Sequence, residues 1–332
     1  YLEVGQKMIS RKKLEPLGHM TQGHRIRRIF EELGPTFIKF GQILSTRPDL
    51  IPIHYIFELE KLQDNVPHFP FKEVKKILSS EFGEDRHPFS SVEEIPFASA
   101  SIGQVHLATL TTGDKVAVKI QRPGIRKQVK VDLEIMNHLA TLMERHIEDL
   151  SFFRPVKIVE EFASTLEREM DYTLEASNIE RVSHQFLSDS TVYIPKVYLD
   201  WTTEKILTME YIDGIKISEV ERLDAEGFNR RILTHQGADL ILKQVFDYGF
   251  FHADLHPGNL FVLPGNVLGL VDFGMMGFMD RGDREKFIDL IASVVSQNPT
   301  AACRHLLELT EYDEEPDLRI LERDLSNFMG QY

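Results

Sequence analysis

A chain of 332 residues, 42% of them hydrophobic, is long enough for about two domains and can bury a sizeable core. Its 38 basic residues against 52 acidic ones give a net charge of −14, which excludes the basic surface expected of a nucleic-acid-binding protein. The single cysteine, Cys303, cannot form an intramolecular disulfide, and no run approaches the roughly 20 apolar residues that cross a bilayer, so a soluble chain in a reducing compartment is expected. The chain starts without methionine and ends inside a helical pattern, so we expect a piece of a longer protein.

The first 95 residues predict a helical N-terminal section. Residues 25–33 are amphipathic, Gly34 and Pro35 interrupt the pattern, and helical periodicity resumes over 36–45 and again over Phe71–Phe82. Four apolar residues of this section, Phe37, Ile38, Ile43 and Leu44, could face lipid or pack into a core, and core packing is the ordinary role of such residues.

From residue 97 the pattern becomes alternating and β-branched, which predicts a hairpin of strands Gly103–Leu110 and 115–120. Long helices are predicted over 128–146 and 155–186, followed by strands over 192–200 and 205–211. Beyond Gly214 the pattern is helical, apart from a hairpin of 259–263 and 267–271 around a Pro-Gly-Asn turn. A sheet-rich first part and a helical second part, joined near 211–214, predict a bilobal α+β fold.

Residues 252–259, HADLHPGN, carry the strongest motif. His252 stands two residues before Asp254 and Asn259 stands five after it, which is the spacing of the protein-kinase catalytic loop, where the Asp orients the nucleophile and the Asn binds Mg²⁺. A purely turn-forming role is the alternative. The sequence VDFG at 271–274 follows the predicted hairpin and makes Asp272 a second candidate metal ligand. Together these motifs predict an ATP and Mg²⁺ site of kinase type, with Asp254 as the catalytic residue.

Two weaker signals fit the same fold. The sequence VAVK at 116–119 matches the strand that carries the phosphate-binding lysine of kinases, so Lys119 is predicted to bind the α and β phosphates; a solvated strand lysine is the alternative. The strand at 205–211 has the form of a hinge. Here the backbone of Glu210 and Ile212 would bond the adenine edge beside Met209, although the segment alone could equally be a core strand.

The phosphate loop departs from ordinary kinases. In register with G-x-G-x-x-G-x-V the chain reads ASASIGQV at 98–105, so alanines replace the first two glycines. Alanine restricts positive φ and close backbone approach, which predicts a different nucleotide pose and disfavours a bulky acceptor. The residues predicted to line the nucleotide here are Ala98, Ser99, Ala100, Ser101, Ile102, Gly103, Val105 and Ala117.

The alanine-rich loop, together with KFGQ at 39–42 and EMD at 169–171, resembles the ABC1/ADCK/UbiB family of atypical kinases. The family's hallmarks are a K-x-G-Q motif, an A-rich loop and an E-x-D motif, and the resemblance runs from about residue 25 to the helices after Gly274. It implies a protein-kinase-like fold whose helical N-terminal extension packs over the active site. Alone, each of the two short motifs could be a solvated helix face.

The resemblance also implies roles for individual residues. Lys39 and Gln42 are expected near the phosphates, with Lys39 acting in catalysis and reaching Glu169 and Asp171. Glu175, six residues after Glu169, stands where the family has the partner of its strand lysine, and is assigned to Lys119. The implied division is a helical extension at 1–95, an N-lobe with inserted helices at 96–212, and a helical C-lobe at 213–332.

The expected activity follows from the motifs and the resemblance. ATP (or ADP) and Mg²⁺ are the predicted cofactors. After Gly274 the sequence has no A-P-E segment and no phosphorylatable loop, which argues against peptide substrates. The resemblance implies an atypical kinase or ATPase supporting ubiquinone or isoprenoid-lipid metabolism at a membrane surface. Lipid or quinone-pathway components are the implied partners, and the implied location is cytoplasmic and peripheral to the membrane, or organellar in a eukaryote.

Two alternatives stay open. The sequence H-x-D-L-H-P-G-N is also similar to aminoglycoside and choline kinases, so a small-molecule or lipid phosphotransferase is the second interpretation. A pseudokinase scaffold is the third, and it is weakened by the presence of Lys119, Asp254, Asn259 and Asp272.

Overall fold

The structure, a computed structural model, describes residues 21–62, 68–84, 87–147, 153–310, 312 and 316–331. The first 20 residues of the predicted helical extension therefore lie outside the described residues. Tyr332, at the end of the C-terminal helical pattern, also lies outside them. The chain forms two compact units, and the boundary between them in the sequence falls between Met170 and Asp171. The sequence predicts a different division of the chain, into an extension, an N-lobe and a C-lobe with boundaries after residues 95 and 212. That division stays a prediction.

The first unit begins with four helices: α1 (Gln22–Leu33), α2 (Pro35–Ser45), α3 (Ile53–Leu59) and α4 (Phe71–Phe82). Gly34 separates α1 from α2 with a φ of 104°, a conformation open to glycine, and Pro35 occupies the first turn of α2, where a missing N–H is tolerated. The predicted break at this point is confirmed.

An antiparallel sheet follows, with strands β1 (Phe89–Val92), β2 (Ala98–Ser99), β3 (Gly103–Leu110) and β4 (Lys115–Gln121). Both β1 and β2 pair with β3, and β3 pairs with β4 from Gly103↔Gln121 to Thr109↔Lys115. The β3–β4 hairpin is thereby confirmed. Strand β1 was not predicted, because its two adjacent serines hide the period-two pattern.

Two helices, α5 (Ile125–His146) and α6 (Pro155–Glu169), complete the first unit. Val129, Met136 and Ala140 of α5 are buried with Phe162 and Leu166 of α6 in one apolar cluster. Phe37 and Ile43 pack against this cluster, while Ile38 and Leu44 belong to a second cluster with Leu59 and Leu62. The four apolar residues of the front helices therefore have the core-packing role.

The second unit opens with α7 (Tyr172–Gln185), so the single helix predicted over 155–186 is wrong. Met170 and Asp171 interrupt it, because Asp171 is extended and its side chain accepts a hydrogen bond from Thr173 N–H as the N-cap of α7. The strand predicted over 192–200 is also largely wrong. Only Val192–Tyr193 is a strand, and Pro195 lacks the N–H that a longer ladder requires.

Short strands and helices make up the rest of this unit. The elements are β5 (Val192–Tyr193), β6 (Ile206–Glu210), β7 (Ile215–Lys216), α8 (Val220–Ala225), α9 (Arg230–Leu242), a π-helix (Lys243–Tyr248), β8 (Phe250–His252), β9 (Leu260–Leu263), β10 (Val267–Leu270), β11 (Met276–Phe278), α10 (Arg281–Val295), α11 (Pro299–Leu309) and α12 (Leu318–Met329). Strands β10, β9 and β7 are antiparallel neighbours, with β5 parallel to β10, while β8 pairs separately with β11. The predicted strand at 205–211 and the hairpin around Gly265 are confirmed, whereas β7, β8 and β11 were too short to predict.

Cys303 lies buried in α11, and burial raises the pKa of its thiol. Within the described part of the chain, no helix combines the length and the apolarity needed to cross a membrane.

Candidate active site

His252 joins the two strongest motifs of the second unit. Its Nε2 lies 2.6 Å from the Asp272 carbonyl and must donate to it, and its Nδ1 accepts from Asp254 N–H at 3.2 Å. Acceptance at Nδ1 requires the neutral ring, and burial lowers the pKa of this histidine. One buried side chain, His252, therefore links the loop after β8 to the segment after β10.

Asn259 is buried at the end of the loop and closes it from within. Its Nδ2 donates to the Asp254 carbonyl at 3.3 Å, and its own carbonyl accepts from Val271 N–H at 3.0 Å. The amide oxygen of Asn259 is a suitable Mg²⁺ ligand. His256, which follows Asp254, accepts from Gly258 N–H at 3.0 Å and shapes the turn.

The segment at 271–274 has an unusual backbone. Asp272 has a φ of 65°, a left-handed conformation that costs a non-glycine residue free energy but is least unfavourable for Asp and Asn. Its Oδ1 accepts from Gly274 N–H at 3.1 Å. The next residue, Phe273, is fully buried, with its ring 5.8 Å from that of His252. Asp272 is thus presented from a conformation that its neighbours must maintain.

Helix α7 supplies that support. Glu175 Oε1 accepts from Phe273 N–H at 3.4 Å, and Asn178 Nδ2 donates to the Phe273 carbonyl at 2.9 Å. One turn further along, the guanidinium of Arg181 lies 3.9 Å from the ring centroid of Phe250 in β8. Three side chains at i, i+3 and i+6 of one helix therefore contact the 271–274 segment and β8, the strand that leads into the 252–259 motif. Asn178 and Arg181 were not predicted, since a lone Asn or Arg in a helical pattern carries no local signal.

The π-helix before β8 makes a further contact that was not predicted. Gln244 is almost fully buried, and its Oε1 accepts from His252 N–H at 3.2 Å. Gly249 then turns the chain into β8 with a φ of 62°, where a Cβ would lie 2.5 Å from the Met279 carbonyl oxygen. Single-turn π-helices are frequent at functional sites. The π-helix at Lys243–Tyr248 is therefore a structural sign of a functional site, but the sequence alone did not reveal it.

The predicted hinge follows β6. Glu210 N–H donates to the Lys196 carbonyl at 2.8 Å, so a contact of Glu210 with adenine would have to use its carbonyl. Its side chain accepts from Tyr193 Oη at 2.7 Å, and burial together with this hydrogen bond raises the pKa of Tyr193 to about 12. Met209 and Ile212 are buried. The hinge assignment itself stays a prediction.

In the first unit, three of the residues predicted to line the nucleotide form one row across the sheet. Ala98 of β2 pairs with Val105 of β3, and Val105 pairs with Lys119 of β4. Directly opposed residues point to the same face of a sheet. The half-buried Lys119 therefore shares a face with Val105 and Ala98, while its neighbours Val118 and Ile120 point into the core.

The alanine-rich loop between β2 and β3 is a tight turn. Ala100 N–H donates to the Gly103 carbonyl at 2.8 Å, and Arg122 N–H donates to the Ile102 carbonyl at 2.7 Å. Within 98–103 no residue has a positive φ, so alanine fits this loop without strain. Ser101 and Ile102 are buried. The turn accommodates the alanines because it does not need the conformations that glycine alone provides.

The opposite face of this hairpin holds a buried polar pair. His106 Nδ1 lies 2.7 Å from the Glu93 carbonyl and donates to it, so its Nε2 accepts from Gln104 Nε2 at 2.8 Å. Gln104 Oε1 accepts in turn from Phe69 N–H at 3.1 Å, which ties the segment before α4 to the sheet. Burial lowers the pKa of His106, since the charged ring would lose water without gaining a carboxylate.

Helix α2 contributes the K-x-G-Q motif. Lys39 Nζ lies 2.8 Å from Glu169 Oε1 with both side chains largely buried, so the expected ion pair is confirmed. The Met170 carbonyl accepts from Gln121 and from Arg126, each at 2.8 Å, which fastens this end of α6 to β4 and α5. The pair is therefore anchored to the strand that carries Lys119.

Gly41 and Gln42 complete the motif. A Cβ on Gly41 would lie 2.3 Å from Leu62 Cδ1 and 2.7 Å from Phe30 Cδ2, so glycine is needed for close packing. Gln42 Nε2 donates to the Leu62 carbonyl at 3.0 Å. The expected approach of Lys39 and Gln42 to phosphates, the Lys39–Asp171 contact, the pairing of Lys119 with Glu175 and the extension packing over the site all stay predictions.

Similarity to known proteins agrees with these motifs. A family model described as the ABC1 atypical kinase-like domain matches residues 61–306. The chain is 40% identical over 276 residues to a probable protein kinase UbiB of Marinobacter nauticus, covering 82% of this chain and 50% of that protein. It is 39% identical over 299 residues to the chloroplastic protein ACTIVITY OF BC1 COMPLEX KINASE 7 of Arabidopsis thaliana, covering 90% and 43% respectively.

Among solved structures, the complex of Rv3197 with erythromycin from Mycobacterium tuberculosis matches with a TM-score of 0.62 and 28% sequence identity, over 87% of this chain and 74% of that one. The predicted α+β, protein-kinase-like fold is thereby confirmed. The chain spans about half the length of the curated relatives it matches.

Proposed function

Since the chain belongs to the ABC1 atypical kinase-like family, we propose that it binds ATP with Mg²⁺ and transfers the terminal phosphoryl group to water or to a small acceptor. The observation that carries this proposal is the link through His252, which sets Asp254 and Asp272 in one hydrogen-bonded assembly. Kinase chemistry depends on positioning of this kind rather than on covalent steps by the protein.

The residues present suit magnesium. The described residues hold no group of three His, Cys, Asp or Glu side chains that would form an all-protein metal site. Mg²⁺ in kinases instead takes a carboxylate and an amide oxygen together with nucleotide phosphates, and Asp272 and Asn259 provide that pair. When bound, the ion would neutralise charge on the phosphates. Asp254 would orient the attacking hydroxyl or water and accept its proton, while Lys119 would hold the α and β phosphates.

The segment after Gly274 supports a non-peptide acceptor. Strand β11 begins at Met276 and pairs with β8, and α10 begins at Arg281, so the segment that ordinary kinases use to dock peptides is replaced by this strand. The proposed role in ubiquinone or isoprenoid-lipid metabolism at a membrane surface rests on what the resemblance to the ABC1/ADCK/UbiB family implies, and two of the relatives are named probable protein kinase UbiB.

Phosphate release from Mg-ATP tests the proposal. We expect Asp254→Asn to lower the rate by about 10² to 10⁴, because the carboxylate that handles the proton is lost while the shape is kept. Asp239→Asn, an exposed acid on α9, is the matched control and should leave the rate unchanged. Equal rates for the two variants would contradict the assignment, and phosphorylated sugars or aminoalcohols as products would favour a small-molecule phosphotransferase.

A further inference from the structure

The π-helix Lys243–Tyr248 directs one polar side chain into the protein. Among the six residues of this helix, Gln244 is the buried one, and only 1% of its surface is exposed. Buried positions of a surface helix are ordinarily apolar, and a buried glutamine needs hydrogen-bond partners. The contacts of Gln244 therefore indicate what this turn of π-helix is for.

Gln244 contacts the edge of β8 that β11 leaves open. Ala253 N–H donates to the Met275 carbonyl at 3.0 Å, so the backbone of Ala253 is directed toward β11. Successive N–H groups of a strand point to opposite edges, so His252 N–H is directed away from β11. Gln244 Oε1 accepts this N–H at 3.2 Å. The glutamine side chain thus supplies the acceptor that a neighbouring strand would otherwise provide.

This contact adds little to the stability of the fold. Gln244 Nε2 is buried, and among the described residues it has no hydrogen-bond partner. A buried donor without an acceptor costs at least as much free energy as one hydrogen bond contributes. An apolar side chain of the same length would fill the space without that cost. Stability therefore does not explain a glutamine at this position.

His252 transmits the constraint to both motifs of the site. Its Nε2 donates to the Asp272 carbonyl at 2.6 Å, and its Nδ1 accepts from Asp254 N–H at 3.2 Å. Gln244 is thus two hydrogen bonds away from Asp272, whose φ of 65° is maintained only by its neighbours. A shift of the His252 backbone would move the attachment points of both aspartates.

We propose that Gln244 is a positioning residue for phosphoryl transfer. By fixing the backbone of His252, it holds the Asp272 carboxylate in the place where Mg²⁺ is to be bound, and the π-helix is what brings its amide to β8. This role rests on the proposed function, because it concerns the same metal and nucleotide site. Gln244 acts through His252 and needs no contact of its own with metal or nucleotide.

Two substitutions at this position test the proposal. Gln244→Met keeps the length of the side chain but has no acceptor oxygen. We expect it to lower phosphate release from Mg-ATP about tenfold and to raise the Mg²⁺ concentration for half-maximal rate by a similar factor. Its melting temperature should change little, because an unpaired donor is lost together with the hydrogen bond. Gln244→Glu keeps an acceptor oxygen, ionised or neutral, and should restore the Mg²⁺ dependence of the parent protein.

Hydrogen exchange of the His252 amide reads the same contact without nucleotide or metal. The amide should exchange about tenfold faster in Gln244→Met and at the parental rate in Gln244→Glu. The matched control is Gln236→Met, which removes a half-buried glutamine of α9 whose Oε1 has no hydrogen-bond partner among the described residues. The control should match the parent protein in exchange at His252 and in Mg²⁺ dependence.

Three outcomes are decisive. Unchanged exchange in Gln244→Met would overturn the proposal even if the parent protein released no phosphate. Faster exchange with the Mg²⁺ dependence of the parent would also overturn it, since Gln244 would then have a structural role alone. If the parent protein neither binds nor hydrolyses Mg-ATP, the proposed function fails and the catalytic role of Gln244 fails with it. Failure of the first two kinds leaves the proposed ATP chemistry standing.

Discussion

The two units hold their functional side chains in different ways. In the first unit, Ala98, Val105 and Lys119 are aligned by the pairing of β2, β3 and β4, so main-chain hydrogen bonds set their positions. In the second unit, the loop after β8 and the segment after β10 are held by buried side chains, chiefly His252 and Asn178. Substitutions in the first unit should therefore act through the chemistry or packing of the replaced group, whereas substitutions of the supporting side chains of the second unit, such as Asn178, should act through loss of positioning.

The largest effect expected in the first unit tests the first half of that comparison, the claim that substitutions there act through chemistry or packing. Lys119→Met should lower ATP turnover about hundredfold or more, because the cation proposed to hold the phosphates is lost while the strand stays paired. Lys115→Met, at the exposed start of the same strand, is the control and should be silent. Phosphate release measures both rates. A large fall in melting temperature for Lys119→Met would show that the lysine is structural and would break the comparison.

Gly41→Ala tests close packing in the first unit. The new methyl would overlap Leu62 and Phe30, so we expect the free energy of unfolding to fall by about 2 kcal/mol. Gly237→Ala is a matched helical control, since its nearest atom would be Leu268 Cδ1 at 3.9 Å, and it should be neutral or stabilising by up to about 1 kcal/mol. Denaturant unfolding distinguishes them. Equal stability of the two variants would mean that α2 can shift away from Leu62.

Asn178→Ala tests positioning in the second unit. The buried carbonyl of Phe273 would lose its donor, and we expect turnover to fall about tenfold as Asp272 leaves its strained conformation more often. The Mg²⁺ concentration for half-maximal rate should rise as well, which simple destabilisation would not produce. Asn137→Ala, an exposed residue of α5, is the control. An unchanged Mg²⁺ dependence would assign Asn178 a structural role alone.

Acid should lower the free energy of unfolding of both units. His106 and His252 each use both ring nitrogens in the neutral form, and burial lowers both pKa values below the ordinary 6.5. The unfolded chain therefore binds more protons below pH 6.5, so the free energy of unfolding is retained above that pH and falls beneath it, by at most about 1.4 kcal/mol per pH unit for each histidine.

Equilibrium unfolding between about pH 7.5 and about pH 5, the range in which histidines titrate, measures that slope. His106→Gln should reduce it, and the exposed His138→Gln should not. A slope that is the same in all three proteins would show that carboxylates, rather than these histidines, control acid stability.

Much of this architecture could be predicted from local patterns. The spacing of His252, Asp254 and Asn259 is short and chemically specific, and the β3–β4 hairpin has a clear alternation, so both were found. The failures have physical causes: Asp171 caps a new helix inside an unbroken helical pattern, and Pro195 ends a β-branched run early. Asn178 could not be found, because its role depends on contact with Phe273, 95 residues away.

Titration of ATP into the protein, with and without Mg²⁺, tests most directly whether Asp272 and Asn259 hold Mg²⁺ for a bound nucleotide. Asp272→Asn keeps a residue type that tolerates a φ of 65°, so it removes charge with little change of fold. We expect tighter ATP binding with Mg²⁺ in the parent protein and loss of that Mg²⁺ dependence in the variant. ATP binding that ignores Mg²⁺ in both proteins, or no ATP binding at all, would contradict this assignment.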